Sequence, residues 1–256
     1  MAGEGGFLDG LTRRRAVQAW ARAARGAESA EPAELRRQLR AARDLRRHLD
    51  RLVHVADGRL ARLGGDEAAP THPPGTDWAW RPEIWSGPLP DIGRAPAPAG
   101  SWLGSETRLF HDCPRAEIAL RQVRTPGQGQ RALHGLQIDV FGFDGSYLSL
   151  AIELPQEAAQ GLRKRHVVVA DALIETERPL EAFARLNIRH GPNTEQVARE
   201  LRLGEGPAVA EFDLAYTRLN ERRTERLWLD LIFERPEMSQ ILLRDVALSR
   251  RVRAEF

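Results

Sequence analysis

The feature that most constrains this chain is a two-residue alternation of apolar and polar side chains that recurs through its C-terminal half. In 227–233, Leu227, Leu229, Leu231 and Phe233 fall on one side of an extended segment, with Trp228, Asp230 and Ile232 on the other. The same period sets Ile118 and Leu120 against Ala119 and Arg121. It sets Leu136, Ile138 and Val140 against Gln137 and Asp139, and Leu148, Leu150, Ile152 and Leu154 against Tyr147, Ser149 and Glu153. It continues through "HVVVADALIET" at 166–176. Further on it sets Ala184, Leu186 and Ile188 against Arg185, Asn187 and Arg189, and Phe212, Leu214 and Tyr216 against Glu211 and Asp213. After the turn "ERPEM", "QILLRDVALSRR" reads as a closing strand. Side chains of a strand point alternately to its two faces, so each segment has one face for a core and one for solvent. At least eight such strands occur, and only "PQEAAQGLRKR" and "NTEQVAREL" look briefly helical. Strands joined by short loops, without long crossover helices, pair antiparallel. The expected fold is therefore mainly β: an antiparallel, jelly-roll-like two-sheet sandwich over 106–256.

The N-terminal third follows a different period. Between Pro32, which suits a first helical turn, and the stop at Gly64–Gly65, positions 35, 39, 42, 46, 49, 53, 56, 60 and 63 advance by fours and threes. They carry Leu35, Leu39, Ala42, Arg46, Leu49, Val53, Ala56, Leu60 and Leu63, a heptad seam broken only at Arg46, where Leu45 can widen the stripe. Ser29 is the expected cap. About 33 residues at ~1.5 Å each make a rod of about 50 Å. Such a stripe needs a partner: a hairpin with "FLDGLTRRRAVQAWARAARG", a second copy, or the sandwich. The apolar residues of that shorter helix spread around its wheel, which disfavours a membrane surface. We expect 1–65 to be a basic α-helical arm, hairpin or coiled coil, mediating homo-oligomerisation or docking through residues 29–63.

Between arm and sandwich, 66–105 is rich in proline and carries Trp78, Trp80, Trp85 and Trp102. A disordered linker would not carry such rings, so the segment is expected to run extended across the body and bury them.

Charge follows the same division. Residues 1–65 hold 14 Arg and 8 Asp or Glu, whereas the whole chain has 38 basic and 36 acidic residues. Only Lys164 is a lysine, and so strong an arginine bias has a coding explanation that weakens the case for nucleic acid as a partner of the arm. The single Cys113 excludes an intrachain disulfide and fits a reducing compartment. "MAGEGGFLDGLTRRR" places its charges after its apolar stretch, unlike a secretory leader, so a cytoplasmic location is expected.

Four strings, "TDWAWRPEIWSGPLP", "LFHDCP", "FARLNIRHGPNTEQ" and "FDLAYTRLNERRTERLWLDLIFERPEM", are long and specific. Through them the C-terminal 180 or so residues resemble a family of alphaproteobacterial proteins of unknown function, a resemblance that implies no activity and no functional residues. More loosely, "ILLRDVALSRR" is similar to the last strand of jelly-roll carbohydrate-binding modules, a fold-level likeness.

No phosphate-cradling glycine loop, nucleophile elbow or paired-histidine zinc motif occurs; "GEGG" at 3–6 and "GQGQ" at 127–130 read as unstructured turns. In "HDC" at 111–113, His111 and Cys113 point to the face that Asp112 does not, and nothing supplies further ligands, so packing is expected there and neither metal nor cofactor. The stretch "RLNIRHGPN" is more informative. Arg185, Asn187 and Arg189 share a face, and His190 and Asn193 sit at a Gly-Pro corner. With Asp213, Trp228 and Asp230 on the same face they would form an aromatic–polar platform of the kind that sugars need. A solvated face of cross-strand Arg–Asp pairs gives the same pattern. The leading expectation is a non-catalytic binding or assembly protein whose sandwich offers a recognition face for glycan. The alternatives are a glycan-processing enzyme, for which Asp213, Asp230 and Glu153 would have to converge, and nucleic-acid binding by the arm.

Overall fold

The structure, a computed structural model, describes residues 5–63, 74–125, 131–204 and 206–253. The chain divides into a unit ending at Val55 and a second beginning at Ala56. The first holds α1 (Gly5–Gly26) and most of α2 (Pro32–Leu63), which follows a 3-10 turn at Ala27–Ser29. Ser29 does not cap α2: its hydroxyl donates to the Gly26 carbonyl at 3.3 Å. Pro32 opens the helix, and Gln38 Nε2 donates to Glu34 Oε1 at 2.8 Å across one turn. On the seam, Leu39 and Leu49 are each 50% exposed, and the neighbouring Leu52 is 64% exposed. The side chains of Val53, Leu60 and Leu63, and Gly64–Gly65 with the expected stop, lie outside the described residues. So does "GQGQ". Gly5 and Gly6, expected in a turn, instead begin α1.

The second unit is a sandwich of two antiparallel sheets. Its strands are β1 (Thr76–Trp80), β2 (Gly93–Arg94), β3 (Trp102–Leu103), β4 (Thr107–His111), β5 (Ile118–Arg124), β6 (His134–Val140) and β7 (Tyr147–Glu153). They continue as β8 (His166–Thr176), β9 (Glu181–His190), β10 (Asn193–Leu201), β11 (Ala208–Asp213), β12 (Thr224–Glu234) and β13 (Ser239–Val252). Two single-turn helices, α3 (Glu83–Ser86) and α4 (Gln156–Ala159), interrupt them. One sheet runs β11-β8-β13-β6-β5-β2 with β1 beside β13; the other runs β10-β9-β12-β7-β4-β3. The alternating residues of the sequence face one another between them. Leu136, Ile138, Leu148, Leu150, Ile152, Ile188, Phe212, Leu229, Leu231 and Phe233 are all completely or almost completely buried. Each such side chain contributes about 1.5–3 kcal/mol when withdrawn from water.

The last strand needs a correction of phase to join this core. Ile241 and Leu243 face inward, and so do Val246 and Leu248, three residues further on rather than two. A bulge between Leu243 and Asp245 inserts the extra residue against β8. Its crowded carbonyl is accommodated by Gly135 of β6, where a Cβ would meet Leu243 O at 2.9 Å, and is satisfied by Trp85 Nε1 at 2.9 Å. Trp85 therefore does the anchoring that the connector's tryptophans were expected to do. Asp245, turned outward by the bulge yet 1% exposed, is pushed up in pKa by burial, against which the Arg81 and Arg131 guanidiniums pull it down.

Three expectations are overturned locally. "NTEQVAREL" is an edge strand, β10, because the corner at Gly191 (φ +60) turns it back in register along β9. β11 ends at Asp213, whose carboxylate accepts from Ala215 N–H at 3.0 Å and starts a 3-10 turn, leaving Tyr216 81% exposed instead of on the inner face. Of the connector's rings, Trp78 and Trp80 are half-buried and stacked with centroids 6.4 Å apart, but Trp102 remains 42% exposed.

His166, 3% exposed at the start of β8, accepts from Arg163 N–H at Nδ1 (3.1 Å). Burial lowers its pKa below the ordinary 6.5, with Asp77 pulling the other way. The unfolded chain thus takes up this proton before the folded one, and stability is lost as pH falls below the ordinary value. Urea unfolding at about pH 7.5 and about pH 5.5 should show a drop in midpoint that His166→Asn makes smaller; an equal drop in both proteins would contradict this.

Candidate functional site

Alternation that points the leucines of β12 inward points Trp228, Asp230 and Ile232 outward. Register then decides their neighbours. Asp230 lies opposite Arg185 of β9 and Ala151 of β7, and Ile232 opposite Ser149. One strand further, Arg108 and Phe110 of β4 lie opposite Ala151 and Ser149. Phe110, Tyr147, Ser149, Arg185, Asp230 and Ile232 line a cleft of about 400 Å³ on this face. Two aromatic rings and Ile232 there meet the polar groups of Ser149, Arg185 and Asp230.

Asp230 is the best-defined polar group there. It is 5% exposed, and its Oδ2 alone accepts Arg185 Nε (3.0 Å), Arg185 Nη2 (2.9 Å) and Asn187 Nδ2 (2.9 Å). Asn187, fully buried, has its own carbonyl oxygen satisfied by Gln196 Nε2 at 2.9 Å. Among the described residues nothing donates to Asp230 Oδ1, which leaves an oriented acceptor at the cleft. A carboxylate accepts at both oxygens, so the second has capacity for a ligand hydroxyl.

Arg185, Asn187, Trp228 and Asp230 thus share one face, as the spacing suggests. Trp228 stands beside the cleft rather than in it, its ring covered by Arg226 with Cζ 5.3 Å from the centroid. Arg226 also forks onto Glu153, with Nε 2.7 Å from Oε2, and that carboxylate holds the guanidinium protonated more firmly than usual. Arg189 projects from the same face and pairs with Glu225 at 3.4 Å. His190 points the other way and is 5% exposed, while Asn193 is exposed opposite it in the hairpin. Asp213 is in the other sheet, where it pairs with Arg253 at 3.2 Å, so it joins neither the platform nor a carboxylate set with Glu153 and Asp230.

Four residues of the face escaped sequence reasoning: Trp102, Arg108, Phe110 and the cleft role of Tyr147. "TRLFH" does alternate, with Arg108 and Phe110 on one side, but five residues are too few to stand out, and only strand pairing brings them beside β12. The "HDC" residues contact neighbouring segments of the sandwich. Asp112 accepts from the Ser146 hydroxyl and from Ser146 and Tyr147 N–H groups, the hydroxyl bond chiefly holding its carboxyl below the usual range. Cys113 Sγ donates to Asp144 Oδ1 at 2.8 Å, and His111 meets Phe143 edge-on at 6.1 Å.

A family model covers residues 1–256, helices and sandwich together. The chain belongs to DUF6478, a family of unknown function. A search of curated proteins finds no match. Among solved structures, the DUF6478 chain is similar to the enzymatically active domain of tailspike protein 4 of bacteriophage CBA120, at TM-score 0.39 and 5% identity, over 56% of this chain and 19% of that one. It is similar to the family 11 carbohydrate-binding module of Clostridium thermocellum, in complex with a β-1,3-1,4-mixed-linked tetrasaccharide, at TM-score 0.39 and 9% identity, over 64% of this chain and 98% of that one. The xylan-binding domain of Paenibacillus barcinonensis Xyn10C is similar at TM-score 0.35 and 12% identity, over 64% and 97%. At such scores the function of the DUF6478 chain has to be argued from its own face.

The buried network can be tested without any ligand. Asn187→Ala removes a donor to Asp230 and leaves Gln196 without its acceptor, and should cost about 1–3 kcal/mol in urea unfolding at unchanged slope. A midpoint within error of the wild type would show that the network does not hold this face.

Proposed function

We propose that the outer face of the six-stranded sheet is a glycan-recognition face and that the protein acts by binding. The observation that carries this is Asp230: three donors on one oxygen fix it, its second oxygen is uncommitted, and it lines a cleft with two aromatic side chains. A pyranose offers hydroxyl donors to such an acceptor and apolar C–H faces to rings such as Phe110 and Tyr147. Because the acceptor is already oriented, little ordering is required when a ligand arrives. Ser149 and Arg185 extend the polar lining, and Trp228 lengthens the face along β12. A glycan array probed with the full chain, with Tyr147→Ala and with Phe110→Ala should give signals for the wild type that fall about tenfold in each variant. A wild-type protein silent on every glycan would end the proposal.

We also propose that α2 assembles the chain with a second copy as a coiled coil. The observation in favour is the exposure of Leu39, Leu49 and Leu52 on a 32-residue helix with heptad spacing, since leucines left in water on such a seam gain by pairing with its equivalent. Sedimentation velocity should find the full chain as a dimer or larger and residues 74–256 as a monomer. Monomers in both would remove the assembly role.

A further inference from the structure

Four guanidiniums stand on the outer face of the six-stranded sheet, and three have a carboxylate in contact. Arg185 pairs with Asp230, Arg226 with Glu153 and Arg189 with Glu225. Arg108 differs. Among the described residues no carboxylate pairs with it, and its one hydrogen bond runs from Nε to the Gly100 carbonyl at 3.1 Å. Two rings fix its plane: Cζ lies 5.2 Å from the Trp102 centroid and 4.8 Å from that of Phe110. Gly100, at φ +87, makes room, because a Cβ there would come within 3.1 Å of Nη2. A residue other than glycine would be strained in that conformation and would displace the guanidinium.

The result is a cation held over two rings, with neither terminal nitrogen hydrogen-bonded among the described residues, next to the cleft rather than in its lining. Phe110, the ring beneath it, lines that cleft. Across the sheet Arg108 is opposite Ala151, and Ala151 is opposite Asp230, so one strand separates the two residues on this face. Adjacent strands are about 4.8 Å apart, which puts the two backbones about 10 Å from each other, a span comparable with that of a short glycan. An acid at one side accepts hydroxyls; a planar guanidinium at the other matches a carboxylate with two parallel N–H donors.

We infer that Arg108 is an anion-binding subsite of this face and that the glycan it selects carries a carboxylate, as a uronic acid does. This deepens the glycan proposal and rests on it. The other three guanidiniums each have a protein carboxylate as partner, so among the described residues of this face Arg108 is the one whose charge is not paired within the protein.

Calorimetric titration of the full chain with trigalacturonate and with cellotriose separates the inference from its premise. The acidic trisaccharide should bind at least about tenfold more tightly, the difference expected for a charge-assisted hydrogen-bonded pair. Arg108→Gln should abolish that preference, weakening trigalacturonate binding at least about tenfold more than cellotriose binding, while Arg108→Lys, which keeps the charge but not the planar fork, should restore only part of it. Arg36→Gln on α2 controls for general attraction of anions to the basic arm and should alter nothing. Equal affinities for the two sugars, or a preference that survives Arg108→Gln, would overturn the subsite and leave the glycan face standing. Tighter binding of a sulfated trisaccharide than of trigalacturonate would overturn the choice of carboxylate. Binding of none of these sugars by the wild type would overturn the subsite, and a wild type equally silent across a full glycan array would remove the glycan proposal as well.

Discussion

The inward packing of β12 is the interaction on which the rest of the structure depends. Leu227, Leu229, Leu231 and Phe233 insert between the sheets from a strand that is itself central, hydrogen-bonded to β9 on one edge and β7 on the other. A slip of one residue in that strand would turn its leucines to water and Asp230 into the core. The energy that fixes register is therefore the same energy that presents the acid. Candidate site and core are opposite sides of one strand, so the packing that holds the core also holds the site.

Around that strand, charge is arranged by proximity rather than by abundance. The chain is rich in arginine, yet on this face most guanidiniums are tied to carboxylates across neighbouring strands, as in Arg185–Asp230 and Arg226–Glu153. Exposed pairs of this kind add little to stability. Where a partner is buried the consequence is greater: Asp230, nearly withdrawn from solvent, is held in one orientation by Arg185 and Asn187. Arg108 is held instead by aromatic stacking, which positions the charge without neutralising it. Two modes of restraint thus leave, among the described residues, Asp230 Oδ1 and the terminal nitrogens of Arg108 without a hydrogen-bond partner in the protein.

The arm obeys another logic. Its helices are set by a 3.6-residue period and by Pro32, and they need no sheet to form their backbone hydrogen bonds. The chain's excess positive charge is in residues 1–65, with 14 Arg against 8 Asp or Glu, and the remainder is net acidic. Among the described residues no helix is long and apolar enough to cross a membrane. The family match includes this arm together with the sandwich, so both are parts of what the family shares.

Alternation and helical period are local properties, and the sequence alone determined their direct consequences: which segments are extended, which side of each faces inward, where α2 begins, and that Arg185, Asn187 and Asp230 look outward. It missed where local preference and tertiary demand part. Helix-forming residues in "NTEQVAREL" were drawn into an edge strand by the hairpin with β9. The phase shift at Leu243 was absorbed by Gly135 and Trp85, both distant in the chain, the latter by 158 positions. Only the tertiary structure decided strand order and register, because these depend on contacts between residues far apart in sequence. That order placed Asp213 in the opposite sheet, brought β4 beside β7, and made neighbours of Arg108, Phe110 and Asp230, whose common chemistry no single stretch of sequence contains.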